Sequence, residues 1–154
     1  MNKNYYKTLP KKRMASGALI LNKKNELLIV KPNYKDHWSI PGGVVDENES
    51  PKNACIREVK EEIDLDIKNP IFLCVDWTSP TPEKGESLQF IFFGGILQQE
   101  QIKMIKLQPE EIDRCQFLPL EKALPLLSEN LRCRILQCFK AMKNKTALYL
   151  ENAK

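Results

Sequence analysis

Glu49, Arg57, Glu58, Glu61 and Glu62, in the first half of the chain, have the types and spacing to do chemistry. Glu58 and Glu62 are four residues apart, and Glu58 and Glu61 are three apart. On a helix their side chains are therefore neighbours. Like charges crowded in this way repel each other unless a positive group lies between them. The simplest such group is a divalent metal ion, because Mg²⁺ and Mn²⁺ prefer carboxylate oxygens. An ion held there can neutralise charge on a pyrophosphate and generate or orient an attacking water. For the three glutamates alone, a solvated acidic helix face is the alternative reading.

These side chains need a helix to hold them, and the sequence supplies its start. Ser50 suits an N-cap and Pro51 suits the first helical position, so a helix should run from Pro51 to about Ile63. On a helical wheel Cys55, Ile56, Val59 and Ile63 fall within an arc of about 100° and form the core face. Glu58, Glu61 and Glu62 occupy the adjoining arc of about 100°. Arg57, four residues before Glu61, flanks it. Just upstream, Pro41-Gly42-Gly43 stops a brief extended piece at 38–40.

Around this helix the pattern is mostly β. Residues 15–21 and 27–31 read as a hairpin closed by the polar turn 22–25. Residues 71–78, 88–97 and 114–118 read as further strands. The run 88–97 is apolar at nearly every position, as in a strand covered on both faces. Its Gly94-Gly95 pair marks a bulge or a close backbone approach. Residues 98–109 are ambiguous. A short helix at 119–127 should be ended or bent by Pro125. Ser128 should cap a last helix carrying Leu131, Ile135, Cys138, Phe139 and Met142 on one face, and the tail after Lys143 should fray. A mixed sheet between helix layers follows from this order.

Composition sets the bounds. A chain of 154 residues with 42% apolar and 29% charged residues is one globular domain, residues 1–154, with a core at about 14–143. The net charge of +4 can steer anionic ligands but is far from a nucleic-acid packaging protein. The basic stretch Lys3, Lys7, Lys11, Lys12 and Arg13 precedes an apolar run at 14–21 with no small-residue cleavage pattern, so it reads as a first strand rather than a signal peptide. No run reaches the eighteen or so apolar residues of a membrane span. The five cysteines, 55, 74, 115, 133 and 138, include no CxxC pair. They read as reduced thiols in a cytoplasmic protein.

The stretch at 43–65 resembles the Nudix box. In that box a Gly, five residues, a Glu and seven residues precede Arg-Glu-hydrophobe-any-Glu-Glu-any-Gly-hydrophobe. Gly43, Glu49, Arg57, Glu58, Val59, Glu61, Glu62 and Leu65 stand in register. Asp64 departs from the pattern where the family has Gly. That Gly closes the helix, usually in a left-handed conformation, which Asp tolerates better than most other residues. The resemblance implies an α/β fold, an α/β/α sandwich with a mixed β-sheet.

The resemblance also implies the chemistry: water attacking phosphorus in a nucleoside diphosphate linked to a group X, with Mg²⁺ as cofactor and Mn²⁺ able to substitute. Carried over, the metal ligands are Glu58 and Glu62 first and Glu61 next, joined by the Gly43 (or Gly42) carbonyl. Glu49 and Arg57 pair to hold the loop on the helix, and Arg57 also orients a catalytic carboxylate. The general base is a box glutamate such as Glu58 or Glu61, or a later loop residue, here Glu111 rather than Glu110. Loop 79–86 lies where related subfamilies carry specificity residues. Its Pro80 is similar in placement to a proline of many ADP-ribose pyrophosphatases, which favours ADP-ribose or a nucleotide sugar. A nucleoside triphosphate substrate, for nucleotide-pool sanitation, and a non-catalytic ligand sensor stay open. Trp38 is expected in the core, and His37, Trp77, Tyr34, Phe90 and Phe92 are weighed as substrate contacts. The expected partner is a nucleotide-derived small molecule. No membrane is expected, nucleic acid is disfavoured, and a homodimer stays open because many similar proteins are dimers.

Overall fold

A computed structural model describes residues 4–154; Lys3 of the basic stretch lies outside the described residues. Strand β1 (Arg13–Asn22) turns into β2 (Leu27–Pro32) through a tight connection. Asn22 Oδ1 accepts the Lys24 and Glu26 N–H groups at 2.9 and 3.0 Å, and Asn25 takes a φ of 58°. A short strand β3 (Gly42–Val44) pairs antiparallel with the start of β1, Ala15 opposite Val44 and Gly17 opposite Gly42. The reading of 38–40 as the extended piece reaches only isolated bridges, Val30 to Ser39 and Trp38 to Leu127.

Helix α1 (Pro51–Ile63) follows, then β4 (Ile71–Thr78) and β5 (Ser87–Leu97). The ambiguous stretch after β5 contains the short helix α2 (Gln99–Lys103). Strand β6 (Ile112–Leu118) leads into α3 (Leu120–Ala123), and Pro125 lies in the 3₁₀ turn Leu124–Leu126 that ends it. Helix α4 (Glu129–Asn144) is the long one. Ser128 stands at its N-cap position, as read from the sequence, but its hydroxyl makes no capping hydrogen bond.

The sheet order is β6-β2-β1-β5-β4-β7, where β7 is Leu148–Glu151, with β3 beside β1. β1 runs parallel to β5 and β4 parallel to β7, while the other pairs are antiparallel. The register between β1 and β5 slips at Leu19/Ile20, where Ile20 pairs with Gly95 and leaves Gly94 as the bulge. Side chains along β1 alternate between two cores. Ala18 and Ile20 face α1 with Cys55, Val59 and Ile63, whereas Leu19 and Leu21 face α4 with Ile135 and Cys138. The result is a mixed sheet between helix layers. No helix of the described residues is long and apolar enough to cross a membrane.

The C-terminal expectation is corrected. The chain after Lys143 does not fray but returns as β7 (Leu148–Glu151), parallel on the free edge of β4. Asp76, fully buried on β4, explains the anchoring. Its Oδ2 accepts from Arg134 Nε and Nη2 at 2.9 and 2.6 Å, and its Oδ1 accepts the Ala153 N–H at 2.9 Å. A buried carboxylate needs such partners. Arg134 and Ala153 lie 58 and 77 residues away, beyond the reach of local patterning.

Candidate active site

Helix α1 starts as its sequence dictates, with Ser50 Oγ accepting the Asn53 N–H at 3.2 Å. It ends at Asp64, which takes the left-handed conformation (φ 53°, ψ 35°). Lys60 Nζ lies 2.8 Å from Asp64 Oδ1. Both ends are thus fixed, which sets the rotation of the glutamate face over the sheet.

The three box glutamates do not share one environment. Glu62 is only 2% exposed, and its Oε2 accepts the Gly42 N–H at 3.0 Å. Burial pushes its pKa up to about 8; the Gly42 hydrogen bond opposes this, and the nearby Glu58 and Glu111 charges add to it. Glu58 is half-buried and also raised, by burial first and then by Glu61 and Glu111, against the opposing pull of Arg57. Glu61 points outward to solvent and to Arg57, whose Nη1 lies 3.0 Å from its Oε2.

The loop before the helix explains the glycines. Gly42 takes a φ of 149°, and a Cβ there would collide with Ser16 O and lie 2.5 Å from Gly17 Cα. A Cβ on Gly43 would lie 2.5 Å from Glu58 Oε1. The backbone of β3 therefore lies directly against the Glu58 carboxylate, a close approach only glycine permits.

Arg57 is the hub. It donates from Nε to Glu49 Oε1 and from Nη2 to Glu49 Oε2, both at 2.9 Å. It also donates to the Val44 carbonyl at 3.0 Å and to Glu58 Oε1 at 2.9 Å. The Glu49 hydrogen bond is the main cause that raises the Arg57 pKa, and the same bond holds Glu49 below its ordinary range. One guanidinium thus ties the loop to the helix and fixes one oxygen of Glu58.

Glu111 comes to the site from the chain before β6. That segment is laced to the end of α1, with Lys106 N–H donating to Ile63 O at 3.2 Å and Gln108 N–H to Glu62 O at 3.0 Å. The turn after β2 clips to it from the other side. Asn33 donates its N–H to Glu111 O at 2.9 Å and its Nδ2 to Glu110 O at 2.7 Å.

These groups open into one cleft of about 670 Å³. Glu58, Glu61, Glu62, Glu111, Arg57, Gly42 and Gly43 all line it, while Glu110 does not. Tyr34 and Phe90 line it as well; Phe92 is buried in the core under α1, whereas Trp38 packs on the opposite core, under α4, with the Arg114 guanidinium 5.5 Å from its ring centroid. His37 is exposed and outside the cleft lining. Trp77 donates Nε1 to Glu86 at 2.7 Å, also away from the cleft. Loop 79–86, with Pro80, contributes no lining residue. It is bound instead to the C-terminus, where Asn152 Oδ1 accepts from Ser79 N and Oγ at 3.0 and 2.9 Å. The sequence reading missed Lys35, Gln89 and Arg134 of the lining. A charged Arg134 on the otherwise apolar face of an amphipathic helix, between Leu131 and Cys138, was the one available signal.

A divalent cation fits this chemistry. The donors are all oxygen, two carboxylates are crowded and partly desolvated, and glycine backbone abuts one of them. Among the described residues no group of three or more His, Cys, Asp or Glu forms a ready cage. Mg²⁺ needs none, because it keeps waters and phosphate oxygens beside one or two carboxylates.

A family model described as NUDIX domain matches residues 11–137. Nudix hydrolase 5 of Arabidopsis thaliana is 32% identical over 115 residues, covering 71% of this chain and 37% of that protein. An RNA pyrophosphohydrolase of Hydrogenovibrio crunogenus is 46% identical over 50 residues, 32% of this chain and 30% of that protein. The chain therefore spans well under two thirds of either relative. A solved UDP-X diphosphatase superposes with a TM-score of 0.75 at 22% identity, over 93% of this chain and 68% of that one, which shows a shared fold. With the box in register on α1 and the family model spanning most of the chain, this protein belongs to the Nudix family.

Proposed function

We propose that this protein is a Mg²⁺-dependent pyrophosphohydrolase that cleaves the diphosphate linkage of a nucleoside diphosphate linked to X. Glu58 and Glu62 would hold the ion with the Gly43 carbonyl, and Glu61 would serve the solvent side. A bound ion would neutralise diphosphate charge and lower the pKa of a coordinated water. Glu111, clipped beside Glu58 and Glu62, is the residue we assign as general base, with Arg57 orienting Glu58. The observation that carries this reading is the electrostatic crowding of Glu58, Glu62 and Glu111 in one cleft. Such crowding is costly for a surface built only for solubility.

For X, a sugar or ribose phosphate is preferred. The cleft extends past the acidic end to Gln89, Ser128 and Arg134, which offers polar room beyond a diphosphate. Pro80 no longer supports that preference, since its loop lies off the cleft. The cleft belongs to a single domain, and we place the protein in the cytoplasm. The test is release of nucleoside monophosphate from ADP-ribose, UDP-sugars and nucleoside triphosphates, and of pyrophosphate from triphosphate-ended RNA, with Mg²⁺ or with chelator. Chelator-sensitive release from a diphosphate-linked substrate supports the reading. Release only from triphosphates would transfer it to nucleotide-pool sanitation.

A further inference from the structure

The cleft is lined by four cations, Arg13, Lys35, Arg57 and Arg134. Two are already spent. Arg57 is held by Glu49, Glu58 and Glu61, and Arg134 is held by buried Asp76. Arg13 sits at the first position of β1, and Lys35 is the cation whose charge favours ionised Glu62. Lys35 therefore lies where a diphosphate must approach. It enters no salt bridge among the described residues, and its Nζ rests 5.0 Å from the centroid of the Tyr34 ring.

Its backbone, by contrast, is pinned. Lys31 Nζ donates to the Lys35 carbonyl and, at 3.1 Å, to that of Pro32. Asn33 is bound through both N–H and Nδ2 to the Glu110–Glu111 backbone. A fixed turn thus carries one uncommitted ammonium on a flexible stem at the lip of the acidic end.

We infer that Lys35 is a phosphate-binding residue that leaves the Tyr34 face to pair with a diphosphate oxygen of the substrate. This rests on the pyrophosphohydrolase reading for its biological meaning. An exposed cation on an aromatic ring is weakly held, whereas a charge-assisted hydrogen bond to phosphate is stronger. The glutamates repel a bare polyanion, so an opposing cation at the lip lowers the cost of entry.

The test measures calorimetric binding of inorganic pyrophosphate with Mg²⁺ to wild type, Lys35→Ala and Lys35→Arg, together with kcat and KM on the best nucleotide. Lys35→Ala should weaken pyrophosphate about tenfold or more. Lys35→Arg should recover most of the loss, and all three proteins should melt alike because the side chain is exposed. Wild type that turns over no nucleotide, yet binds pyrophosphate tenfold better than Lys35→Ala, would sink the hydrolase reading and leave this assignment standing. Normal turnover with equal pyrophosphate affinity in wild type and Lys35→Ala overturns the assignment alone. Wild type that binds no pyrophosphate also overturns it.

Discussion

Arg57 clasps Glu49 with both edges of its guanidinium, Nε to Oε1 and Nη2 to Oε2, each at 2.9 Å. The same side chain reaches the Val44 carbonyl and Glu58, so one residue joins the glycine loop, the helix and a carboxylate of the site. Hydrogen bonds to charged groups are worth roughly 1.5–3 kcal/mol each before the cost of ordering is deducted. Replacing Arg57 by Ala should lower unfolding free energy by about 2 kcal/mol in urea titrations and reduce turnover strongly. Arg57→Lys should recover part of the stability and little of the turnover, because an ammonium cannot reproduce the two-pronged grip. Equal turnover in Arg57→Lys and wild type would remove the positioning role.

Asp76 and Arg134 join the sheet to α4 and, through Ala153, to the last strand. Removing one member leaves a buried charge alone, which costs about 3–5 kcal/mol. Arg134→Ala should therefore show a large drop in denaturation midpoint, and removal of residues 148–154 a similar one. If the truncated chain melts with wild type, the C-terminal strand is not an anchor.

Glu86 is held below its usual range by Lys12 first and then by Trp77 Nε1. A depressed carboxylate contributes stability that is present above its unfolded value near 4.5 and lost as pH falls through the folded value. Wild type should exceed Glu86→Gln in melting temperature at pH 6, and the gap should close as the pH falls through the lowered folded-state value. A gap that persists unchanged in acid would point to lost packing rather than lost charge.

Asp64 closes α1 in the left-handed region at φ 53°. Glycine adopts that conformation without the Cβ penalty, so Asp64→Gly should raise the melting temperature slightly despite losing the exposed ion pair with Lys60. A fall on this substitution would mean that the Lys60 contact outweighs the backbone strain.

Local signals carried the fold where they were strong. Ser50-Pro51 set the start of α1, the apolar runs of β1 and β5 set two central strands, and Pro125 ended α3. The last strand escaped because residues 148–151 form it only by pairing with β4 and answering buried Asp76. In the site, spacing alone placed Glu58, Glu61 and Glu62 on adjoining positions. It could not separate buried Glu62 from solvent-facing Glu61, because that depends on Gly42 and on the chain before β6. Lys35 was hidden for a similar reason. A lysine in a polar turn is ordinary until Asn33 and Glu111 bring that turn to the acidic cleft.

The most direct measurement compares monophosphate release by wild type and Glu62→Gln, with Mg²⁺, on the best substrate of the nucleotide panel. Gln keeps the shape and still accepts the Gly42 N–H, so the two proteins should melt within a few degrees of each other in chelator. Turnover by Glu62→Gln should fall about a hundredfold or more, since a charged metal ligand is lost. Equal turnover in the two proteins would contradict a metal-assisted reaction at this carboxylate cluster.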